Sequence, residues 1–336
     1  MIEPRPTIIS LIVFATVLLN GCEKKSGDSK TVSPGTLDTV NTTADSSIET
    51  GDSDASSSVW SEWEEPDITT EEVLIPVYTE TKPVANLEWE ELVPGLEYTE
   101  APSFIRCMNI GDNLIRIVRA DPKKLKLKLL CADQLDTGNM TADTWCNRYH
   151  LLAVINAGMY GADQYSSTGF MKNDDYINNK RLNKAYKAIV VFNPVDNNLP
   201  YFQIIDTGCQ PDWKNLLKKY RSASQGLRMI DCNRSNRWSK QAKYWSTACI
   251  GEDSRGHTLF IHSRTPYMVS DLNRILLSLP LDIRNVMYVE GGPESSLYVH
   301  AGGKEIKSFG SYETDFYFSD DNDQYWPIPN VMAIGY

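Results

Sequence analysis

Alternating apolar and polar positions run through most of the chain beyond residue 110 and predict β-strands. Segment 113–132 (NLIRIVRADPKKLKLKLLCA) is typical of two strands joined by a turn at Asp121-Pro122. Segment 245–264 (WSTACIGEDSRGHTLFIHSR) predicts a hairpin, because the four residues from Asp253 to Gly256 are common turn formers. Further strands, mostly apolar, are predicted at 151–156, 187–194, 201–207 and 286–289.

Segment 270–280 (SDLNRILLSLP) has the period of an amphipathic helix. Its apolar residues recur at i, i+3, i+4 and i+7 from Leu272, Ser270 suits the N-cap, and Pro280 ends the helix. Strands outnumber helices along the chain. The sequence therefore predicts an α+β domain with a mixed β-sheet core and few inserted helices.

The first 22 residues are typical of an export signal. Ile8–Leu19 is almost wholly apolar but too short for a stable membrane-spanning helix. The sequence Leu-Asn-Gly before Cys22 resembles the bacterial lipoprotein box, in which the cysteine is lipidated. Glu23, rather than aspartate, gives no signal for inner-membrane retention. We expect an exported bacterial lipoprotein of the cell envelope, at the outer membrane or cell surface, held by lipid chains on Cys22.

Acidic and small polar residues dominate the segment from 23 to 85, which we expect to be a disordered tether. Residues 23–100 carry 19 acidic and four basic side chains, whereas residues 101–336 carry 24 acidic and 28 basic side chains. The overall charge of −11 is therefore a property of the tether. Residues 86–336 contain no repeat and no second linker, and we predict that they form one domain.

Six cysteines lie in the predicted domain and permit up to three disulfides, with the pairing left open. No Cys-x-x-Cys pair and no Cys/His cluster is present, which argues against zinc. The sequence also lacks a P-loop, a dinucleotide fingerprint and a nucleic-acid-binding module. We therefore expect no cofactor, no metal and no nucleic-acid partner.

Polar residues follow several predicted strands, at positions where binding sites commonly form. Asn156 and Gly158 follow one strand, Arg228 and Asp231 lie in the segment SQGLRMIDC, and Arg264 follows the hairpin. Each residue alone also fits an ordinary structural role, such as turn former, surface cation or ion-pair partner. Their shared position at strand ends favours a site. A fourth polar loop, EGGPESS, follows the strand at 286–289.

Three motifs occur in an order that resembles the phosphodiester glycosidase family: VINAGMYG with TGFMKND, then STACIGEDSRGHTLFIHSR, then NVMYVEGGPESS. The resemblance extends over roughly residues 94–336 and implies removal of a sugar from a phosphate diester. The family loop Leu-Asp-Gly-Gly-Gly-Ser-Ser differs here. Glu290 replaces its aspartate, Pro293 its third glycine and Glu294 its first serine.

The chemistry of such a reaction suggests roles for these residues. A glycosyl bond breaks through an oxocarbenium-like state, which a carboxylate at Glu290 would stabilise, with Glu294 as an acid/base partner. Arginine matches phosphate oxygens well, so Arg228 and Arg264 are candidates for the leaving group. The expected substrate-binding residues are Asn156, Gly158, Asp231, Gly291, Gly292, Ser295 and Ser296.

Other interpretations remain open from the sequence. Ser295 and Ser296 lack a nucleophile motif, so they would hydrogen-bond substrate or cap the loop. Tyr160, Trp238 and Trp245 would stack on a sugar or pack in the core. The partner is predicted to be a glycan or sugar-phosphate substrate. The alternatives are a non-catalytic glycan-binding lipoprotein of the same fold and a structural envelope protein.

Overall fold

A computed structural model of the chain describes residues 73–336. Within that range the chain forms eighteen strands, three α-helices and one 3₁₀ turn. The strands are β1 Tyr78–Glu80, β2 Glu90–Val93, β3 Leu96–Pro102, β4 Ile105–Cys107, β5 Leu114–Ala120, β6 Lys126–Cys131, β7 Ala153–Asn156, β8 Met171–Asn173, β9 Tyr176–Asn179, β10 Ala188–Pro194, β11 Phe202–Asp206, β12 Tyr220–Ile230, β13 Trp245–Asp253, β14 Thr258–Tyr267, β15 Ile283–Gly291, β16 Ser296–Ala301, β17 Lys304–Phe309 and β18 Asn330–Gly335. The helices are α1 Ala142–Arg148, α2 Trp213–Leu217 and α3 Val269–Ser278, and the 3₁₀ turn is Gly292–Glu294.

The strands form a large sheet, a small sheet and a separate β1–β4 pair. The large sheet has the order β11-β10-β12-β15-β13-β14-β5-β3-β2, with β8 and β9 attached to β12. The small sheet has the order β17-β16-β7-β18-β6. Every strand pair in the described range is antiparallel.

The prediction of a mixed sheet is therefore wrong. Helix α3 connects β14 to β15, which point the same way, but β13 lies between them and pairs with both. The crossover therefore skips one strand position and creates no parallel pair. The described part is dominated by β-sheet, with few helices as predicted, and the helices are not numerous enough to establish an α+β class.

The main core lies between the large and small sheets. Val118, Ile250 and Val289 from the large sheet pack in one cluster with Ile155 and Val299 from the small sheet. These side chains alternate with residues that face outward, as the period of a strand requires. The two sheets thus form a sandwich.

Short helices cover the outer faces of the sandwich. Trp145 of α1 packs against the small sheet, while Leu272, Ile275 and Leu276 of α3 pack against the large sheet. The predicted apolar face of α3 is confirmed, and burial of each such side chain contributes about 1.5–3 kcal/mol. The helix begins earlier than predicted, with Met268 as the N-cap instead of Ser270.

The folded unit begins before residue 86, so the predicted end of the tether at residue 85 is wrong. Strand β1 pairs with β4, and the ring of Tyr78 stacks on Tyr244 at 5.5 Å. The apolar residues Leu74 and Tyr78 supply contacts that an acidic tether would lack. The predicted signal peptide, the lipidated Cys22 and residues 23–72 lie outside the described residues. No helix in the described part is both long and apolar enough to cross a membrane.

One disulfide is present among the described cysteines, between Cys209 and Cys232. The other four cysteines of the domain are buried thiols: Cys107, Cys131, Cys146 and Cys249. The bond ties the end of β11 to the segment that follows β12. The sequence allowed three disulfides, and the fold brings only this one pair together.

Candidate active site

The loop after β15 carries the chain from the large sheet to the small sheet. Strand β15 ends at Gly291, the 3₁₀ turn spans Gly292–Glu294, and β16 begins at Ser296. The pairing of β15 with β13 shifts register between Tyr288 and Glu290, so these two side chains do not follow simple strand alternation. Tyr288 lies opposite Cys249 and packs in the cluster beneath α3, whereas Glu290 lies opposite Ala248, whose side chain faces the core between the sheets.

Neighbouring side chains explain the two glycines at this crossing. The hydroxyl of Tyr288 and the indole of Trp245 occupy the space that a Cβ atom on Gly291 would need. Gly292 has φ +63°, and its missing side chain leaves room for the carboxyl group of Glu313. The glycines thus let an aromatic hydroxyl and a third carboxyl group approach the backbone beside Glu290.

Asn156 holds the turn from the small-sheet side. Its side-chain nitrogen donates to the carbonyl of Glu294 at 3.0 Å, and its oxygen accepts from the backbone N–H of Ser296 at 2.7 Å. Asn156 is buried, so it acts as a positioning residue rather than as a substrate contact. Gly158 also has a packing role, because Ser224 Oγ would lie 3.3 Å from its Cβ position.

The two serines cap the turn. Ser295 Oγ donates to the carbonyl of Gly292 at 2.8 Å, and Ser296 Oγ donates to that of Glu294 at 3.0 Å. Both serines are fully buried. Buried His262 lies behind them, 3.2 Å from Ser295 Oγ, and burial lowers its pKa to about 3. The imidazole is therefore neutral and structural.

Three carboxyl groups, of Glu290, Glu294 and Glu313, form the electrostatic centre of the site. All three side chains are half-buried. Burial raises the pKa of Glu294 to about 7 and that of Glu313 to about 7, and the charge of Glu313 adds to the effect on Glu294. Burial, followed by the charges of Glu294 and Glu313, raises the pKa of Glu290 well above its usual range.

Aromatic side chains surround these carboxyl groups. The negative charges of Glu294 and Glu290 add to burial in raising the pKa of Tyr160, and Glu290 also acts on Tyr186. Trp245 and Tyr288 pack edge to face, with ring centroids 6.4 Å apart. Such surfaces suit the apolar faces of a sugar ring.

Cations are scarce around the carboxyl groups. Lys243 is the one cation that lowers the pKa of Glu313, and it is exposed and paired with Asp315 at 3.0 Å. Within residues 73–336, no arginine forms an ion pair with Glu290, Glu294 or Glu313. The site is therefore acidic and has little compensation by positive charge.

The structure does not bring Arg228 or Asp231 to this site, contrary to the sequence-based expectation. Arg228 pairs with buried Asp206 at 2.7 Å. Asp231 pairs with Arg237 at 2.5 Å and accepts the backbone N–H of Ser235, which stabilises the turn after β12. Both residues have local structural partners that the sequence alone could not identify.

Arg264 also lies away from the carboxyl groups. Its guanidinium pairs with Asp320 at 3.0 Å and donates to the carbonyl of Asn322 at 2.9 Å. It lines a small cavity of about 80 Å³ together with Arg116 and Lys307. The predicted role of Arg264 beside Glu290 is therefore not supported.

The one metal-like cluster in the described range is Asp206 with Cys209 and Cys232. Its cysteines are bonded to each other, so their sulfurs cannot act as thiolate ligands. Glu290, Glu294 and Glu313 do not meet the same spacing, in which three ligand atoms lie within 4.8 Å of one another.

Sequence reasoning missed Glu313, Tyr186 and Tyr288. Glu313 lies in the segment SYETDFYF, which matches no catalytic motif. An isolated bridge between Trp245 and Glu313 brings it to the start of β13. Tyr288 lies in the same predicted strand as Glu290, but simple alternation could not place its hydroxyl, because the strand pairing shifts register between these two residues.

Comparison with known proteins places the chain in a family. The family model for phosphodiester glycosidase matches residues 149–335, which is more than half of the chain and contains all three carboxyl groups. No curated protein sequence matches the chain.

One solved structure agrees with this chain at the level of the fold. A hypothetical protein from Synechocystis is 13% identical, with a TM-score of 0.52 over 75% of this chain and 64% of that chain. The present chain thus spans just under two thirds of that protein. The catalytic domain of zebrafish N-acetylglucosamine-1-phosphodiester alpha-N-acetylglucosaminidase, auto-inhibited by its pro-peptide, is 12% identical, with a TM-score of 0.48 over 78% and 89% of the two chains. From the family match, this chain belongs to the phosphodiester glycosidase family.

Proposed function

We propose that the protein is a hydrolase that cleaves the bond between a sugar and the phosphate of a glycosyl 1-phosphodiester or a related glycan. The observation that carries the proposal is the group of three half-buried carboxyl groups in the region matched by the family. Glycoside hydrolysis commonly needs two carboxyl groups in different protonation states.

The raised pKa values of these carboxyl groups allow a protonated and an ionised carboxyl group to be present together. Close carboxyl groups share protons and titrate together, because a second negative charge nearby is unfavourable. With Glu294 and Glu313 near pKa 7, part of the group is protonated at neutral pH. One carboxyl group can therefore donate a proton while another remains a carboxylate.

We assign the proton donor and the carboxylate facing the sugar to the coupled pair of Glu290 and Glu294, which share a proton. The bond between the anomeric carbon and the phosphate oxygen breaks, and the proton of this pair goes to that oxygen. Water adds to the anomeric carbon and gives its proton to a carboxylate of the group. The products are the free sugar and a phosphate monoester.

In this proposal a proton from a carboxylic acid stabilises the phosphate leaving group, a role that the sequence analysis assigned to arginine. Arg228 and Arg264 are engaged by Asp206 and Asp320, so neither of these two guanidinium groups is free to stabilise the departing phosphate at Glu290. A phosphate monoester is a weak base, and one proton from a carboxylic acid neutralises the charge that develops on its oxygen.

Hydrolysis in ¹⁸O-labelled water tests the proposal. A glycosyl 1-phosphodiester is incubated with the full chain, and the products are identified by mass spectrometry. We expect the label in the sugar, since the anomeric carbon is attacked. Label in the phosphate would show attack at phosphorus and would contradict the proposed reaction.

A glycan-binding role without catalysis is the second candidate. It is favoured by the loop itself, in which Glu290, Pro293 and Glu294 differ from the family sequence. Saturable binding of the sugar, with no product from any phosphodiester, would favour this function over hydrolysis.

We also propose that the chain is exported and anchored through Cys22. The support is the apolar segment followed by Leu-Asn-Gly-Cys. Metabolic labelling with a fatty acid is expected to mark the wild-type chain and not Cys22→Ala. Equal labelling of both chains would exclude Cys22 as the anchor.

A further inference from the structure

The candidate site has a surplus of acidic groups. The charges of Glu294 and Glu313 act on Glu290, and that of Glu313 acts on Glu294. Among the described residues, Lys243 is the one cation that acts on Glu313, and it is exposed and already paired with Asp315. An anionic or neutral ligand would leave these charges uncompensated. A positively charged ligand would stabilise the ionised carboxyl groups.

Two unpartnered donors reach the same position. Tyr288 is 6% exposed, and its hydroxyl makes no hydrogen bond to any of residues 73–336. That hydroxyl lies against Gly291, beside Glu290. The indole Nε1 of Trp245 is buried without a partner next to the same glycine. A buried donor normally has an acceptor, and the Trp245 indole lacks one, so it can bind a ligand oxygen, as can the unpartnered Tyr288 hydroxyl beside it.

Aromatic rings complete the surroundings. Tyr160 and Tyr186 are half-buried and close enough to Glu290 for its charge to affect both hydroxyls. Rings of this kind bind the faces of a sugar and also favour a nearby cation. A ligand that combines a sugar ring with a positive charge therefore matches the carboxyl groups, the two donors and the aromatic rings at this position.

We propose that the sugar bound at this site carries a free amino group, so that the preferred glycosyl unit is a cationic amino sugar rather than a neutral or N-acylated one. The inference rests on the proposed function, since it takes the carboxyl site as the sugar site. The amino group pairs with the carboxylates, while the Tyr288 and Trp245 donors bind ring or hydroxyl oxygens.

Binding of an amino sugar is then linked to pH. Eight titratable side chains of the protein lie at the ligand position or act on the carboxyl groups there: Glu290, Glu294, Glu313, Tyr160, Tyr186, Tyr288, Lys243 and Asp315. Between pH 7 and pH 5 the carboxyl groups of Glu294 and Glu313 become protonated while the amine stays charged. The preference for the amino sugar should therefore decrease as the pH falls.

Calorimetric titration of the full chain, purified in detergent, tests the inference. The probes are methyl α-glucosaminide, methyl N-acetyl-α-glucosaminide and methyl α-glucoside. At pH 7 we expect the amino sugar to bind about tenfold more tightly than the other two, because charged hydrogen bonds are stronger than neutral ones. At pH 5 the ratio should approach one.

Isosteric variants separate charge from folding. Glu313→Gln and Glu294→Gln should each reduce the amino-sugar preference, measured as the ratio of amino-sugar to glucoside affinity, severalfold. Glu88→Gln, at an exposed residue without an ion pair in the described range, should keep the full preference. Equal or tighter binding of the N-acetyl sugar by the wild type would overturn the amino-sugar inference alone. Failure of all three glycosides to bind would overturn it together with the proposed sugar site.

Discussion

Gly292 shows at the scale of one residue how the site depends on a missing side chain. Its φ of +63° already favours glycine, and the Glu313 carboxyl group fills the space beside it. Gly303 is a natural comparison, because it has φ +78° and no atom within 4 Å of its Cβ position. The two glycines share a backbone conformation but differ in their neighbours.

Replacing each glycine by alanine should separate these effects. Gly303→Ala should cost about 1–2 kcal/mol, the usual penalty of the left-handed region. Gly292→Ala should cost more and should also lower activity, because Glu313 must move. Urea unfolding measures the stability of each variant, and a turnover assay measures its activity. Equal losses of stability, with activity intact in both variants, would show that the Glu313 contact is unimportant.

The raised pKa values of Glu294 and Glu313 predict a specific pH dependence of stability. The folded state binds protons more tightly than the unfolded state between about pH 4.5 and about 7, so these groups lower stability as the pH rises through that window. Glu294→Gln or Glu313→Gln should thus stabilise the protein at pH 8 by roughly 1 kcal/mol after solvent screening. The gain should disappear at pH 4. A variant less stable than the wild type at pH 8 would contradict the raised pKa values of Glu294 and Glu313.

At the scale of elements, the crossing from β15 to β16 determines the site, and the sequence predicted much of it. The end of a buried strand at Glu290 and the polar, glycine-containing loop were both visible from the residue pattern. Glu313 was not, because its position depends on a bridge to Trp245 from a distant segment. The arginines were misplaced for the same reason, since Asp206 and Asp320 are distant in sequence from them.

Asn156 links β7 to this crossing and gives a test at the same scale. Asn156→Ala removes two hydrogen bonds to the turn and should cost about 2 kcal/mol, with a larger fall in activity. Asn173→Ala is the matched control, because Asn173 donates to Leu129 and accepts from Ser222 away from the site. Similar activity in the two variants at equal stability would exclude a positioning role for Asn156.

At the scale of the whole molecule, the described residues combine two antiparallel sheets with helices on the outer faces. Hydrophobic periodicity predicted most of the strands and the α3 helix, because those patterns are local. Sheet order and direction were not predictable in the same way, since they depend on which strand lies between β14 and β15. The start of the domain was also misjudged, because three residues of β1 carry a weak strand pattern within an acidic segment.

The N-terminal strand should matter for global stability. A chain of residues 73–336 retains the contacts of Tyr78 with Tyr244 and Tyr267, whereas residues 86–336 lose them. We expect the shorter chain to be less stable by about 2–3 kcal/mol, from lost apolar burial and aromatic pairing. Identical urea midpoints and slopes for the two chains would show that β1 is dispensable.

The central claim is that the carboxyl groups, and not the arginines, perform the reaction. The most direct measurement compares kcat on a glycosyl 1-phosphodiester for Glu290→Gln and Glu294→Gln with kcat for Arg228→Ala and Arg264→Ala. All four variants are first checked for wild-type folding. We predict losses of about 10²-fold or more in the glutamate variants, as for removal of a general acid or base, and near wild-type turnover in folded arginine variants. Wild-type turnover in Glu290→Gln and Glu294→Gln would contradict the account.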